Sequence, residues 1–206
     1  MSGVRKLSTI PNETECLRIL KEAGASDKVI RHTCTVMLLA VEIGKRTGAD
    51  LKILMAGGLL HDIGRSRTHG VMHPVAGAEI AREKGVPEEI VHIIQSHIGS
   101  GITPEDAQRL GYPPGDYMPH TLEEKIVSIS DKLTGGCDYI TVSQALEEFE
   151  RKGLHESGQR MLAMYRELSE NAGIELDQLA GVIDAKDHRG PCNDYVGKIS
   201  PRNPQE

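Results

Sequence analysis

Tryptophan is absent from this 206-residue chain and phenylalanine occurs once, so aromatic packing cannot build its interior. The core must come from Leu, Ile, Val, Ala and Met, an aliphatic set that helices present easily. A basic excess is lacking too. With a formal net charge of -6 and a pI near 5.9, nothing in the overall field draws the chain to nucleic acid or to an acidic membrane, and no extended nucleic-acid surface is expected. No apolar run approaches the roughly 18 to 20 residues of a membrane span, and no secretory signal is recognisable. The cytoplasm is the expected address. The four cysteines, Cys16, Cys34, Cys137 and Cys192, form no C-x-x-C pair, which excludes a thiolate zinc site and a redox dithiol. At such spacing no structural disulfide is expected, and Cys34 reads as a small core residue.

What the sequence does contain is helix punctuation. Asn12 with Glu15 opens a short helix that Gly24 closes. Ser26 and Asp27 start a longer one carrying Val29, Val36, Met37, Ala40 and Ile43 at helical spacing, ended by Gly48. Asp50 caps a third, running to about Asp62, and its internal Gly57 and Gly58 predict close packing by a neighbouring helix. Pro74 and Pro87 fit the first turns of two more, and Thr121 with Glu124 forms a capping box for another. Further helices are expected over residues 141–152 and 156–171, with a short one near 176–183. No strand alternation appears, so the predicted fold is all-α, a compact single-domain helical bundle of about eight to ten helices. Residues 1–11 read as a flexible N-terminus, 12–185 as the domain and 186–206 as an extended or disordered tail. A partner subunit could hold that tail, which leaves a homo-oligomer open.

Nine histidines are many for this length, and their placement says more than their number. His61 and Asp62 end a buried helix, His32 sits within the long helix, and Asp131 lies in an otherwise apolar one. A carboxylate in such surroundings is costly unless a cation or a hydrogen-bond network balances it. Each residue taken singly reads more simply as a satisfied polar core group.

Taken together, His32, the string His61-Asp62-Ile63-Gly64-Arg65 and the distant Asp131 resemble the HD superfamily of metal-dependent phosphohydrolases, in its His-Asp-Ile-Gly subset. The likeness covers roughly residues 26–135 and is greatest to small archaeal members. It implies that His32, His61, Asp62 and Asp131 form the core of a metal site. It also implies that His73 and His97, which fall in the expected order, ligate a second ion. Imidazole and carboxylate donors suit divalent Mn, Fe, Co, Ni or Zn, and Asp62 has two oxygens with which to bridge one ion to another. The simpler alternatives are His73 as an N-terminal cap and His97 as a protonated C-terminal cap favoured by the helix dipole. His92 points about 140° away from His97 around the helix and reads as structural, while His69, His120, His155 and His188 read as surface residues.

The implied chemistry is hydrolysis of a small phosphorylated substrate by a metal-activated water, with Asp131 or Asp62 orienting or deprotonating that water. Arg65 is the best-placed fork for a substrate phosphate, with Lys132 and Arg67 weaker candidates. The loop from Gly99 to His120 is a candidate lid or pocket wall, in which Tyr112 and Tyr117 are either stacking residues or ordinary packing. Cyclic-dinucleotide phosphodiesterases of the HD-GYP type carry a paired His-His-Glu followed closely by Gly-Tyr-Pro. Here Ser96-His97-Ile98 stands at the first place and Gly111-Tyr112-Pro113 comes late, so that specificity does not transfer. A nucleotide, a cyclic nucleotide or another small phosphoester stays open. So do two rivals, an HD-fold di-iron oxygenase with the same ligand types and a non-catalytic nucleotide-binding sensor.

Overall fold

Capping chemistry sets most of the element boundaries in the computed structural model, which describes residues 9–179, 181, 183 and 190–196. Capping boxes from Asn12 and Thr121 head α1 (Glu13–Glu22) and α7 (Leu122–Lys132). Ser26 caps α2 (Asp27–Thr47), which ends at a left-handed Gly48, and Asp50 caps α3 (Leu51–Leu60). A 3-10 turn (Ile63–Ser66), α4 (His73–Glu83), α5 (Glu88–Ser96), a second 3-10 turn (Ile98–Ser100) and α6 (Pro104–Leu110) lead to α7. After it come β1 (Thr134–Gly135), β2 (Asp138–Tyr139), α8 (Val142–Arg151), α9 (His155–Ala172), α10 (Leu176–Leu179) and α11 (Asn193–Val196). The fold class is all-α. Among the described residues the only paired strands are those of the β1–β2 hairpin, which pairs Thr134 with Tyr139 and Gly135 with Asp138; strands of two residues are too short to show alternation in sequence.

Helix α3 lies at the centre, packed by α1, α2, α5 and α7, with Leu54, Leu59 and Leu60 fully buried. Full burial of each such side chain is worth about 1.5 to 3 kcal/mol. The glycines within α3 permit this closeness. A Cβ on Gly58 would fall 2.8 Å from the Cα of Met37 on α2, and one on Gly57 would fall 2.6 Å from Ile93 Cδ1 on α5. His32 on α2 is thereby carried to the C-terminal end of α3.

The region between α5 and α7 is built rather than open. Ile102, Ala107, Tyr112 and Tyr117 form a small second core, and the backbone of Ile102 pairs with Tyr117. The two tyrosine rings meet edge to face at 4.8 Å, and their hydroxyls donate to the carbonyls of Val71 and Pro113. Both rings are buried packing residues, so the stacking role open in sequence is not theirs.

One expectation fails outright: Cys34 and Cys192 form a disulfide, their Cα atoms 5.7 Å apart across 158 residues of sequence. A separation that long leaves no local signal. Closing such a loop is worth about 5 kcal/mol where the effect is taken as restriction of the unfolded chain. Of the expected tail, residues 190–196 are described. They hold α11, which packs on α2, and the Cys192 amide donates to Glu13 Oε1 at 2.6 Å. The rest of that tail and residues 1–8 of the expected flexible N-terminus lie outside the described residues. Among the described residues no helix is long and apolar enough to cross a membrane.

Candidate metal centre

Four imidazoles converge from four places in the chain, and the backbone fixes the tautomer of each. His61, just past the last turn of α3, sets its Nδ1 2.7 Å from the Gly58 carbonyl, and His97, just past α5, sets its Nδ1 2.8 Å from that of Ile94. Both carbonyls belong to final helical turns, where no downstream amide is available to them. His73, opening α4, reaches the Gly70 carbonyl at 2.9 Å, and His32 reaches that of Gly136 in the hairpin turn at 2.5 Å. A carbonyl only accepts, so each Nδ1 carries the proton and each Nε2 keeps its lone pair for the interior.

Two carboxylates face those nitrogens. Asp62 Oδ2 lies 3.7 Å from His32 Nε2 and 3.8 Å from His61 Nε2, while Asp62 Oδ1 lies 3.1 Å from His73 Nε2 and 3.5 Å from His97 Nε2. Its two oxygens therefore serve different histidine pairs. Asp131, near the end of α7, sets Oδ1 3.0 Å from His32 Nε2 and 3.6 Å from His61 Nε2. Three triads emerge, His32-His61-Asp62, His61-His97-Asp131 and Asp62-His73-His97, each with ligand atoms within 4.8 Å of one another.

The donor set fits a cation because it has too many acceptors without one. His73 Nε2 and His97 Nε2 face each other at 3.1 Å, and with Nδ1 donating to a carbonyl in both rings, neither has a proton to share. His61 Nε2 and Asp62 Oδ1 are buried with no hydrogen-bond partner. Acceptors crowded away from water are costly, and a divalent ion is the group that balances them. Nitrogen and oxygen donors suit a transition metal.

Gly64 brings the two sides together. A Cβ there would overlap the His73 carbonyl oxygen and fall 2.6 Å from the Gly77 amide nitrogen, so only glycine lets the turn after Asp62 lie against the head of α4.

Burial pushes the Asp62 carboxyl up, but the imidazoles of His61, His73 and His97, wherever they carry a proton on the facing nitrogen, outweigh it and hold it well below the usual carboxylate range. Asp131 is likewise held low against burial by the Lys132 ammonium and by His32 and His61. Burial drives His97 down to about 4, which disfavours the protonated form on which its reading as a charged helix cap relied. His32 moves up despite burial, because its protonated form can donate from Nε2 to Asp131 as well and is favoured by the charges of Asp131 and Asp62.

These shifts have opposite signs for stability. Between pH 6.5 and about 4 the unfolded chain binds a proton at His97 that the folded, metal-free chain does not, so this contribution is lost as pH falls. The contribution of His32 is present below pH 6.5 and lost as pH rises through its raised folded value. Metal-free protein is therefore expected to gain stability from about pH 4 to pH 6.5, with a shallower gain in His97→Gln. Urea midpoints at the two pH values check this, and equal gains in the two proteins would contradict it.

The centre lies in a cavity of about 720 Å³ lined by His32, Asp62, His73, His97 and Asp131. Arg65 and Lys132 also line it, and both are engaged: Arg65 Nε with Asp62 Oδ2, Lys132 Nζ with Asp131 Oδ2. Arg67 is not among the lining residues; it pairs with Glu79 and Glu83 on the surface, which removes it as a phosphate candidate. His92, expected to be structural, is instead exposed, while His120 pairs with Asp116 and His155 with Glu150, in line with their expected surface roles. His69 is exposed but lines the cavity, and His188 lies outside the described residues. Sequence reasoning did not find the cavity-lining residues Lys28, Ile140, Phe149, Lys152 and Leu154, nor the Gly136 carbonyl that aims His32. On an amphipathic helix such as α8, Phe149 reads only as core.

Comparison with known proteins agrees with this architecture. The model of the HD domain family matches residues 29–136. A tRNA (cytidine(56)-2'-O)-methyltransferase of Thermoplasma volcanium is 41% identical over 175 residues, 85% of this chain and 52% of that protein. The chain thus spans about half the length of that relative. An uncharacterized protein of Methanocaldococcus jannaschii is 46% identical over 143 residues, 67% of this chain and 84% of that one. The HD domain of the L. monocytogenes phosphodiesterase PgpH shares the fold. In its complex with cyclic-di-AMP the TM-score is 0.53 at 18% identity, covering 84% of this chain and 99% of that one. With a family model matching just over half of its residues around the His-Asp cluster, the chain belongs to the HD domain family.

Proposed function

We propose that the chain is a metal-dependent hydrolase of small phosphoesters. The observation that carries this reading is the set of four Nε2 atoms, each aimed by a backbone contact of its Nδ1, facing two carboxylates that line a cavity. His32, His61, Asp62 and Asp131 would hold one ion, and His73 and His97 a second that shares Asp62. A bound divalent ion supplies a lowered pKa for water and a Lewis-acid contact to a phosphate oxygen.

The chain's own residues do the rest. Asp62 and Asp131, both held ionised, act as fixed acceptors that orient the attacking water rather than as stores of protons. Arg65 and Lys132, tied to those carboxylates, present their remaining N–H groups to the substrate phosphate and stabilise the charge that gathers there. Their ion pairs fix these cations before substrate arrives, which lowers the cost of ordering them.

Some relatives carry names for action on RNA, tRNA methyltransferases and Ribonuclease Y among them, so the substrate panel includes RNA dinucleotides beside nucleotides, cyclic nucleotides and small phosphomonoesters. After anaerobic purification and metal analysis, at least one ester is expected to be cleaved without oxygen. Chelation should abolish the cleavage and added metal restore it. Oxygen uptake with iron bound and no ester cleaved would mean an oxygenase. Tight nucleotide binding without turnover, whatever the metal, would mean a sensor.

A further inference from the structure

Among the described residues, every charged or titratable side chain that lines the cavity is committed, with two exceptions. The ligand imidazoles and carboxylates face one another, Arg65 is tied to Asp62, Lys132 to Asp131, and Lys152 Nζ lies 2.6 Å from Glu148 Oε1. Lys28 and His69 remain, both exposed and without a hydrogen bond or ion pair. The loop that carries His69 is nevertheless pinned on both sides of it. The Thr68 amide donates to the Gly64 carbonyl at 3.0 Å, the His73 ring donates to the Gly70 carbonyl at 2.9 Å, and the Tyr112 hydroxyl donates to that of Val71. An unpartnered imidazole is thus held at the cavity by a backbone whose next residue also aims the ligand His73. A polar group on so fixed a support is ordered before any substrate arrives.

Cleaving the ester of an ordinary alcohol needs a proton at the departing oxygen, and few groups here can supply one. Asp62 and Asp131 are held ionised. The ligand histidines direct their Nδ1 protons to backbone carbonyls. A guanidinium does not release its protons in a protein, and an ammonium gives one up far less readily than an imidazolium. We propose that His69 is the acid that protonates the leaving oxygen when a phosphoester is cleaved. This rests on the hydrolase reading of the centre. The oxygen of the attacking water bonds to phosphorus as the bond from phosphorus to the alcohol oxygen breaks, its electron pair staying on the departing oxygen. An imidazolium N–H of His69 delivers the proton that makes this oxygen an alcohol. The water sheds one proton to solvent, and His69 takes one back from solvent before the next turnover.

The probes are benzyl phosphate and p-nitrophenyl phosphate, with the same two esters of thymidine 5′-monophosphate for a diesterase. Their rings are alike, but p-nitrophenolate departs at neutral pH unprotonated and benzyl alkoxide does not. His69 is exposed, so His69→Gln is expected to fold and to keep its metal. The ratio of kcat on the benzyl ester to kcat on the p-nitrophenyl ester is expected to fall about 10²-fold in this variant, a share that general acid catalysis typically supplies. A second readout needs no turnover. Benzylphosphonate, which has no ester oxygen to cleave, should shield His69 of the metal-loaded wild type from acylation by diethyl pyrocarbonate and leave the exposed His92 as reactive as before. An unchanged ratio in His69→Gln, or a His69 that benzylphosphonate does not shield, overturns the acid role and leaves the hydrolase reading standing. If wild type cleaves no ester at all, the hydrolase reading falls and the acid role falls with it.

Discussion

Asp62→Ala is expected to strip the centre of its metal and to lower phosphoester turnover by on the order of 10³-fold or more, since a bound ion supplies several kcal/mol of charge stabilisation to the transition state. No other residue in the centre reaches so many partners: one oxygen lies near His73 and His97, the other near His32, His61 and Arg65. Asp62→Asn keeps the volume and should show the same loss with less disturbance of packing. His61→Ala removes one ligand from two of the three triads and should likewise lower metal content and turnover together. Helical content by circular dichroism is expected to stay near that of wild type in each. Wild-type turnover in Asp62→Ala would remove the catalytic assignment.

Gly64→Ala is expected to be the most damaging substitution outside the ligands. The added methyl group has no room between the turn and α4, and overpacking of this kind costs typically about 1 to 3 kcal/mol. Relief requires α4 to move, and α4 begins with His73, so a ligand should be lost with the stability. Gly70→Ala is the control: it lies in the same loop, and its Cβ would meet only Thr68 Oγ1 at 3.7 Å. Urea denaturation with metal analysis should show Gly64→Ala depleted in both measures and Gly70→Ala near wild type. A Gly64→Ala protein of unchanged stability would mean that the turn does not set the position of α4.

How much of this was legible in the sequence depends on whether the cause was local. His61 and Asp62 stood out because a buried helix end is a costly place for a carboxylate, whereas His32 and Asp131, each readable singly as a satisfied polar group, were joined to them by the resemblance to the HD family. Caps at Asn12, Ser26, Asp50 and Thr121 are i to i+3 chemistry and appear as expected. Gly57 and Gly58 also revealed themselves, since glycine inside a helix is unfavourable unless something packs against it.

What stayed hidden depends on contacts between distant segments. The Cys34–Cys192 bridge joins positions with no sequence relation. The Gly136 carbonyl that orients His32 comes from a hairpin too short to be seen. Arg67 stayed a weaker phosphate candidate beside Arg65 until the fold turned it toward Glu79 and Glu83 and Arg65 toward Asp62. Tyr112 and Tyr117 looked available for a ligand because nothing local marks the small core that consumes them.

The most direct measurement is an anomalous-scattering map from crystals of anaerobically purified protein. The expected result is a metal peak within coordinating distance of His32 Nε2, His61 Nε2, Asp62 and Asp131, with a second peak on the His73 and His97 side of Asp62 if both ions are retained. Metal-replete crystals with no peak beside Asp62, or with the ion held elsewhere on the chain, would contradict the convergence on which the whole assignment stands.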